Sequence, residues 1–162
     1  MWMFMPREGV LLTDCFGYHI TNIESMESIC KEGLKPMLGE RSISIGETEK
    51  RIFFTCCLNE IPKWIGLLYE KRNIEELELL RFNIKRRKWH MRVGSTIYDP
   101  QEFYLERMVK PKSIEYTRII DSFSSLPLDL DSYDYSNVEI EWRPLETYLE
   151  TPKALVKREN KK

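Results

Sequence analysis

His19 and Thr21 are the first residues whose types and spacing suit chemistry. They lie two positions apart near the end of residues 16–20, whose aromatic and β-branched side chains predict a strand. Because alternate residues of a strand face the same side, the imidazole and the hydroxyl would lie next to each other. Such a pair can hydrogen-bond a ribose hydroxyl and a carboxamide, but a half-buried histidine at a strand end is also common.

Phe53 and Trp64 are two aromatic residues that could act together. Phe53 lies in the apolar run 51–57, which predicts a buried strand, and Trp64 lies on the helix expected to follow. Two rings on neighbouring elements can clamp a flat heterocycle between them by stacking. The alternative interpretation is that both are ordinary core residues.

Glu102 is the carboxylate best placed for chemistry, at the start of a strand predicted over residues 102–107. A carboxylate at a strand start can project into a cleft. There it can orient a ribose hydroxyl and stabilise positive charge developing on an oxocarbenium-like sugar. Glu106 would face the same side of that strand and is the rival for this role. A solvated surface glutamate is the alternative for either residue.

A basic run surrounds Trp89 and His90 and consists of Lys85, Arg86, Arg87, Lys88 and Arg92. It could bind phosphate or nucleic acid, although such a run is more often a solvated hairpin. Residues 121–150 favour the hairpin, because their charged side chains are all acidic except Arg143 and offer an internal counter-charge.

Strands and helices alternate in the first half of the chain. Asn22 or Ser25 can cap a helix whose apolar face holds Ile23, Met26, Ile29 and Cys30. Gly33 stands where a left-handed C-cap belongs, and Pro36 prevents the helix from resuming. Residues 35–50 predict a loop long enough to suggest function.

The elements that follow are expected to be one helix and then several strands. Asn59 can cap the helix, whose apolar face holds Ile61, Trp64, Ile65, Leu68 and Tyr69. Residues 77–84, 102–107 and 113–120 predict strands. Residues 86–93 are either the hairpin partner of 77–84 or a basic loop. The pattern predicts an α+β protein.

Length and composition favour one globular domain. The chain has 162 residues, 42% of them hydrophobic, and a net charge of -1, which gives no general attraction to nucleic acid or membrane. We expect a single domain over residues 1–152 and a flexible basic tail over 153–162. No stretch has the length of a signal peptide core or a membrane span, so we expect a cytoplasmic protein.

The cysteine and histidine content argues against a metal site. The four cysteines, Cys15, Cys30, Cys56 and Cys57, include no C-x-x-C pair, and the sequence has two histidines. A zinc site needs several such ligands at regular spacing. We therefore expect no metal and four reduced thiols.

The order of these motifs resembles the ADP-ribosyltransferase superfamily. The resemblance runs from Tyr18-His19-Ile20-Thr21, through the helix ending at Gly33-Leu34, to Ile52-Phe53-Phe54-Thr55 and then Glu102-Phe103-Tyr104-Leu105. The arrangement looks like the branch with a His-Tyr-Glu triad, and its opening and close are similar to DNA-modifying transferases of the DarT type. It covers residues 16 to about 120. The resemblance implies a split β-sandwich with helices packed on the sheets.

The resemblance also implies a role for each site residue. His19 would hold the adenosine-side ribose of NAD and, with Thr21, anchor the co-substrate. Phe53 falls at the family's motif tyrosine, which stacks on nicotinamide, and Trp64 falls near an aromatic on the other face. Glu102 falls at the catalytic glutamate, which bonds the nicotinamide-ribose 2′-hydroxyl. The loop 35–50 would be a mobile segment lining the NAD cleft.

This chain departs from the family pattern at two positions. Phe53 replaces the tyrosine, so the ring remains for stacking but the hydroxyl is lost. An arginine that the DarT type carries has no single matching position here. Arg41 and Arg51 lie in its region, and we assign Arg51 to NAD binding.

The resemblance implies a mono-ADP-ribosyltransferase that passes ADP-ribose from NAD to a protein or nucleic-acid acceptor. One alternative is a non-catalytic module that binds NAD or ADP-ribose on the same fold. A third possibility is an RNA 2′-phosphotransferase, which would use several arginines such as Arg51, Arg86 and Arg87.

Overall fold

The structure is a computed structural model that describes residues 16–39, 43, 46, 48–69, 74–91, 102–119 and 139–149. Cys15, Arg41, Arg92, the tail 153–162 and most of the acidic stretch, about which the sequence made predictions, lie outside these residues. The elements in chain order are β1 (Phe16–Asn22), α1 (Met26–Glu32), β2 (Ile52–Phe54), α2 (Ile61–Tyr69), β3 (Leu77–Asn83), β4 (Trp89–Met91), β5 (Phe103–Leu105), β6 (Ile114–Arg118) and β7 (Arg143–Pro144).

The described strands form two antiparallel sheets. The larger sheet has the strand order β1-β3-β6-β7, and the smaller one has the order β2-β5-β4. The described residues combine these two sheets with the helices α1 and α2. The protein is therefore a mixed α+β structure, as the sequence predicted. In the part of the chain that the structure describes, no helix is long and apolar enough to cross a bilayer.

The larger sheet separates two hydrophobic clusters, because successive side chains of a strand point to opposite faces. On β3, Leu80 and Phe82 face the smaller sheet, where Phe82 meets Phe54 at a ring distance of 5.5 Å. Leu77 and Leu79 face the other way. They pack in the second cluster with β1 and the buried face of α2, which holds Ile61, Trp64 and Ile65.

One backbone pair joins the two sheets. The N–H of Tyr18 on β1 donates to the Thr55 carbonyl at 2.7 Å, and the N–H of Thr55 donates back at 3.0 Å. Thr55 directly follows β2, so this pair brings the edge of each sheet together. Two further backbone pairs, Leu34–Val109 and Met37–Arg51, attach the segment after α1 to residues that flank β5 and β2 in the chain.

The order of elements predicted for residues 16–34, a strand, a turn and a helix that ends at Gly33, is confirmed, with one difference at the end of the helix. The Asn22 side chain accepts from the N–H of Ser25 at 3.0 Å, so Asn22 makes the cap and Ser25 does not. Gly33 has a positive φ of 83°, but its ψ of -172° is extended. The predicted left-handed cap is wrong, although the conformation is still one reserved for glycine.

Three other predictions need correction. The hairpin of residues 86–93 with 77–84 is wrong, because β4 pairs with β5 and Trp89 packs edge-on against Phe103 at 5.4 Å. The strand of 51–57 is shorter, covering Ile52–Phe54. Asn59 lies inside a 3-10 turn, Leu58–Glu60, that leads into α2, so it does not stand at the helix start.

Candidate functional site

A cavity of about 540 Å³ opens where β1, α1, β2 and α2 meet. This volume lies within the range of roughly 300–1,000 Å³ that is typical of small-molecule sites. Six residues singled out from the sequence border the cavity, although they come from separate segments of the chain: His19, Thr21, Arg51, Phe53, Trp64 and Glu102.

The His19 ring has a defined hydrogen-bonding state. Its Nδ1 lies 2.6 Å from the Phe53 carbonyl oxygen, and a carbonyl can only accept, so Nδ1 carries the proton. Burial lowers the pKa of His19, and this effect exceeds the opposing one of the bond to Phe53. The imidazole is therefore neutral near pH 7. Its Nε2 holds a lone pair that can accept a hydrogen bond from a hydroxyl.

Phe53 and Trp64 border the cavity in different ways. Strand alternation turns Ile52 and Phe54 into the core and leaves Phe53 half-buried on the outer face of the smaller sheet. Trp64 is 6% exposed and belongs to the cluster between α2 and the larger sheet. Trp64 is thus a core residue that also contributes to the cavity wall, and its stacking on a heterocycle together with Phe53 stays a prediction.

Glu102 borders the cavity and Glu106 does not. Glu102 is 4% exposed, and the register of β2 with β5, carried one residue further, places it opposite Thr55. Glu106 is exposed, and its carboxylate lies 3.1 Å from Nε2 of His90. The prediction that both face one side of a long strand is wrong, because β5 ends at Leu105.

Arg51 reaches the cavity from the start of β2. Its guanidinium carbon lies 4.1 Å from the centre of the Tyr104 ring, and its Nη2 lies 3.0 Å from the Glu49 carboxylate. Lys35 also borders the cavity, and its ammonium pairs with Glu32. With Glu24 and Glu102 among the lining residues, the cavity offers charges of both signs around a neutral histidine.

Sequence reasoning missed Thr55 as a site residue. Thr55 is 2% exposed, borders the cavity, and has a hydroxyl without a hydrogen-bond partner among the described residues. Buried hydroxyls are usually paired, so an unpaired one beside a cavity can serve a ligand. Its place at the end of an apolar strand, directly after Phe54, was the signal in the sequence.

The predicted loop contributes to the cavity through its described part. Lys35, Met37 and Gly39 are among the lining residues, and the backbone of Met37 pairs with that of Arg51. The predicted mobility of this segment stays a prediction.

The basic run lies elsewhere. Lys85, Arg86 and Arg87 border a separate depression beside the turn after β3. Of the three arginines that a phosphotransferase would use, Arg51 reaches the cavity and Arg86 and Arg87 do not.

Metal ligands and disulfides do not assemble in the described residues. Within the described ranges, no three His, Cys, Asp or Glu side chains converge in a way that could hold a metal ion. Among the described cysteines, Cys30, Cys56 and Cys57, none forms a disulfide with another.

Comparisons with protein-family models, with curated proteins and with solved structures found no match to this chain. Any functional argument therefore rests on the geometry and chemistry of the cavity.

Proposed function

We propose that this chain is an NAD-dependent mono-ADP-ribosyltransferase. It would break the nicotinamide–ribose bond of NAD and pass ADP-ribose to a protein or nucleic-acid acceptor. One observation carries the proposal: His19, Phe53 and Glu102, which lie far apart in the sequence, border one cavity. Each residue alone has an ordinary structural explanation. Their common location is what a ribose-binding, ring-stacking and charge-stabilising site requires.

The proposed fold is the split β-sandwich of the ADP-ribosyltransferases. Two antiparallel sheets that meet at the Tyr18–Thr55 pair, with the cavity beside this junction, support it. In such an arrangement the edges of both sheets can present side chains to one extended ligand.

Each lining residue has a defined part in the proposed mechanism. The neutral His19 would accept a hydrogen bond from a ribose hydroxyl through Nε2, and Phe53 would stack on the nicotinamide ring. Glu102 would bond the nicotinamide-ribose hydroxyl and stabilise the positive charge on the sugar as nicotinamide leaves with the bonding electrons. The nucleophile of the acceptor would then add to the same ribose carbon.

A pair of matched substitutions tests this proposal. Glu102→Gln keeps the shape of the side chain and one acceptor oxygen, but it replaces the other oxygen with an NH2 donor and removes the charge. We expect NAD binding to persist and the rate of nicotinamide release to fall by about 10²–10³, the usual effect of losing one electrostatic stabiliser. Glu106→Gln makes the same change outside the cavity and should leave both quantities unchanged. Equal turnover in Glu102→Gln and wild type would reject the assignment.

A non-catalytic module that binds NAD or ADP-ribose is the second candidate. Phe53 favours it, because a phenylalanine can stack on nicotinamide but lacks the hydroxyl of the motif tyrosine. Isothermal titration with NAD, together with an assay of nicotinamide release by the same preparation, separates the two candidates. Binding without release identifies the module, and binding with release identifies the enzyme.

A further inference from the structure

Tyr104 does not border the cavity but contacts two side chains that do. It is the central residue of β5, and in the smaller sheet it is paired with Phe53 on one side and with His90 on the other. Its ring centre lies 6.1 Å from that of Phe53, at an interplanar angle of 62°. The Arg51 guanidinium lies over the same ring at 4.1 Å.

The Tyr104 ring is contacted by side chains from both of its neighbouring strands and their flanks. His90 stacks on it with a centroid distance of 5.0 Å and an interplanar angle of 23°. His90 belongs to β4 and Arg51 directly precedes β2, and these two strands lie on opposite sides of β5. With Phe53 also in contact, the plane of the Tyr104 ring is defined by three neighbours.

Arg51 gains its orientation from this ring. Arginine has a long side chain with many rotamers, and it can bind an anion well only if its planar fork is already directed at the ligand. The guanidinium carbon lies 4.1 Å from the Tyr104 ring centre and Nη2 lies 3.0 Å from Glu49, and these two contacts limit where the guanidinium can point. The side chain is 20% exposed, so it lies at the cavity wall and not free in solvent.

We propose that Tyr104 is a positioning residue, which holds the Arg51 guanidinium at the cavity wall so that it can bind the diphosphate of NAD. The choice of ligand rests on the proposed function. Arginine forks match the paired oxygens of phosphate groups, and Arg51 lines the cavity in which such a ligand would lie.

Binding measurements separate positioning from a general structural role. The probe is ADP-ribose, which has the diphosphate but no nicotinamide. A change in stacking between Phe53 and nicotinamide therefore cannot affect the measured Kd. We expect Tyr104→Leu to raise the Kd about 3- to 10-fold, the range of one cation–π contact. Tyr104→Phe keeps the ring and should bind like wild type. In the background of Arg51→Ala, Tyr104→Leu should have no further effect.

Nuclear magnetic resonance of Arg51 provides a readout that needs no ligand. A guanidinium over an aromatic ring has its Nε–Hε signal shifted upfield by the ring current. We expect this shift in wild type and in Tyr104→Phe and its loss in Tyr104→Leu.

The positioning role of Tyr104 and the proposed function are overturned by different outcomes. The same Arg51 signal in wild type and Tyr104→Leu, or additive effects in the double variant, would overturn the positioning role. A wild-type protein that binds neither NAD nor ADP-ribose would reject the proposed function and the diphosphate ligand together. In that case the Arg51 signal would still show whether Tyr104 places the guanidinium.

Discussion

Replacing Gly33 with alanine tests how the segment after α1 is attached to the segment after β5, through the Leu34–Val109 pair. Gly33 combines a positive φ of 83° with an extended ψ of -172°. A Cβ built on this residue would lie 2.1 Å from the carbonyl oxygen of Val109. That carbonyl accepts the hydrogen bond from the N–H of Leu34 at 2.9 Å, so the clash falls on the pair that holds the segment in place.

Two effects contribute to the expected loss of stability. A residue with a side chain in this backbone region costs about 1–3 kcal/mol. Relieving a contact of 2.1 Å with a backbone atom requires the chain to shift, which costs about 1–3 kcal/mol more, as overpacking does. We therefore expect Gly33→Ala to lower the free energy of unfolding by about 2–6 kcal/mol. Each kcal/mol corresponds to a fall of about 2–4 °C in Tm for a domain of this size.

Urea unfolding followed by circular dichroism measures this change, and two other glycines provide matched controls. Gly46 has a positive φ of 89° and nothing within 4 Å of an added Cβ, so Gly46→Ala reports the conformational effect without the clash. Gly39 also has open space around a Cβ but no positive φ, so Gly39→Ala should be close to neutral. The reasoning fails if Gly33→Ala is no less stable than Gly46→Ala.

Three further predictions concern side chains. Burial lowers the pKa of His19 below its ordinary 6.5, so the unfolded chain binds more protons than the folded one. The free energy of unfolding should therefore fall as the pH drops below 6.5, and urea unfolding of His19→Gln at several pH values should lack this part of the pH dependence. Tyr148→Phe removes the hydroxyl that donates to the buried Glu78 at 3.3 Å and should cost about 1–3 kcal/mol in urea unfolding, so equal stability would contradict this contact. Phe53→Leu should weaken NAD binding at least about 5-fold in calorimetry through lost stacking, whereas Phe53→Tyr should bind like wild type.

The elements near the site could be predicted because their signals are local. Asn22 caps a neighbouring turn, and the helical spacing of Ile61, Trp64 and Ile65 defines the buried face of α2. The ends of the short strands were harder to predict from the sequence. Both β2 and β5 have three residues, and in so short a segment the pairing partner, not the pattern of apolar residues, decides where the strand ends.

The candidate site depended on contacts that sequence spacing does not reveal. Glu102 and Glu106 carry the same carboxylate within one stretch of the sequence. Their different surroundings follow from the pairing of β5 with β2 and β4, which leaves Glu102 opposite Thr55 and Glu106 beside His90. The supporting role proposed for Tyr104 was hidden for the same reason, because its neighbours come from two other segments, residues 51–53 and β4.

The sequence by itself determined the class of the fold, the first strand and helix, and the residue types available for nucleotide chemistry. These follow from turn chemistry and from the spacing of apolar residues, which act over a few positions of the chain. The tertiary structure decided which of those residues share a cavity. That result depends on the Tyr18–Thr55 junction and on strand register, since backbone hydrogen bonds between distant segments determine which side chains become neighbours.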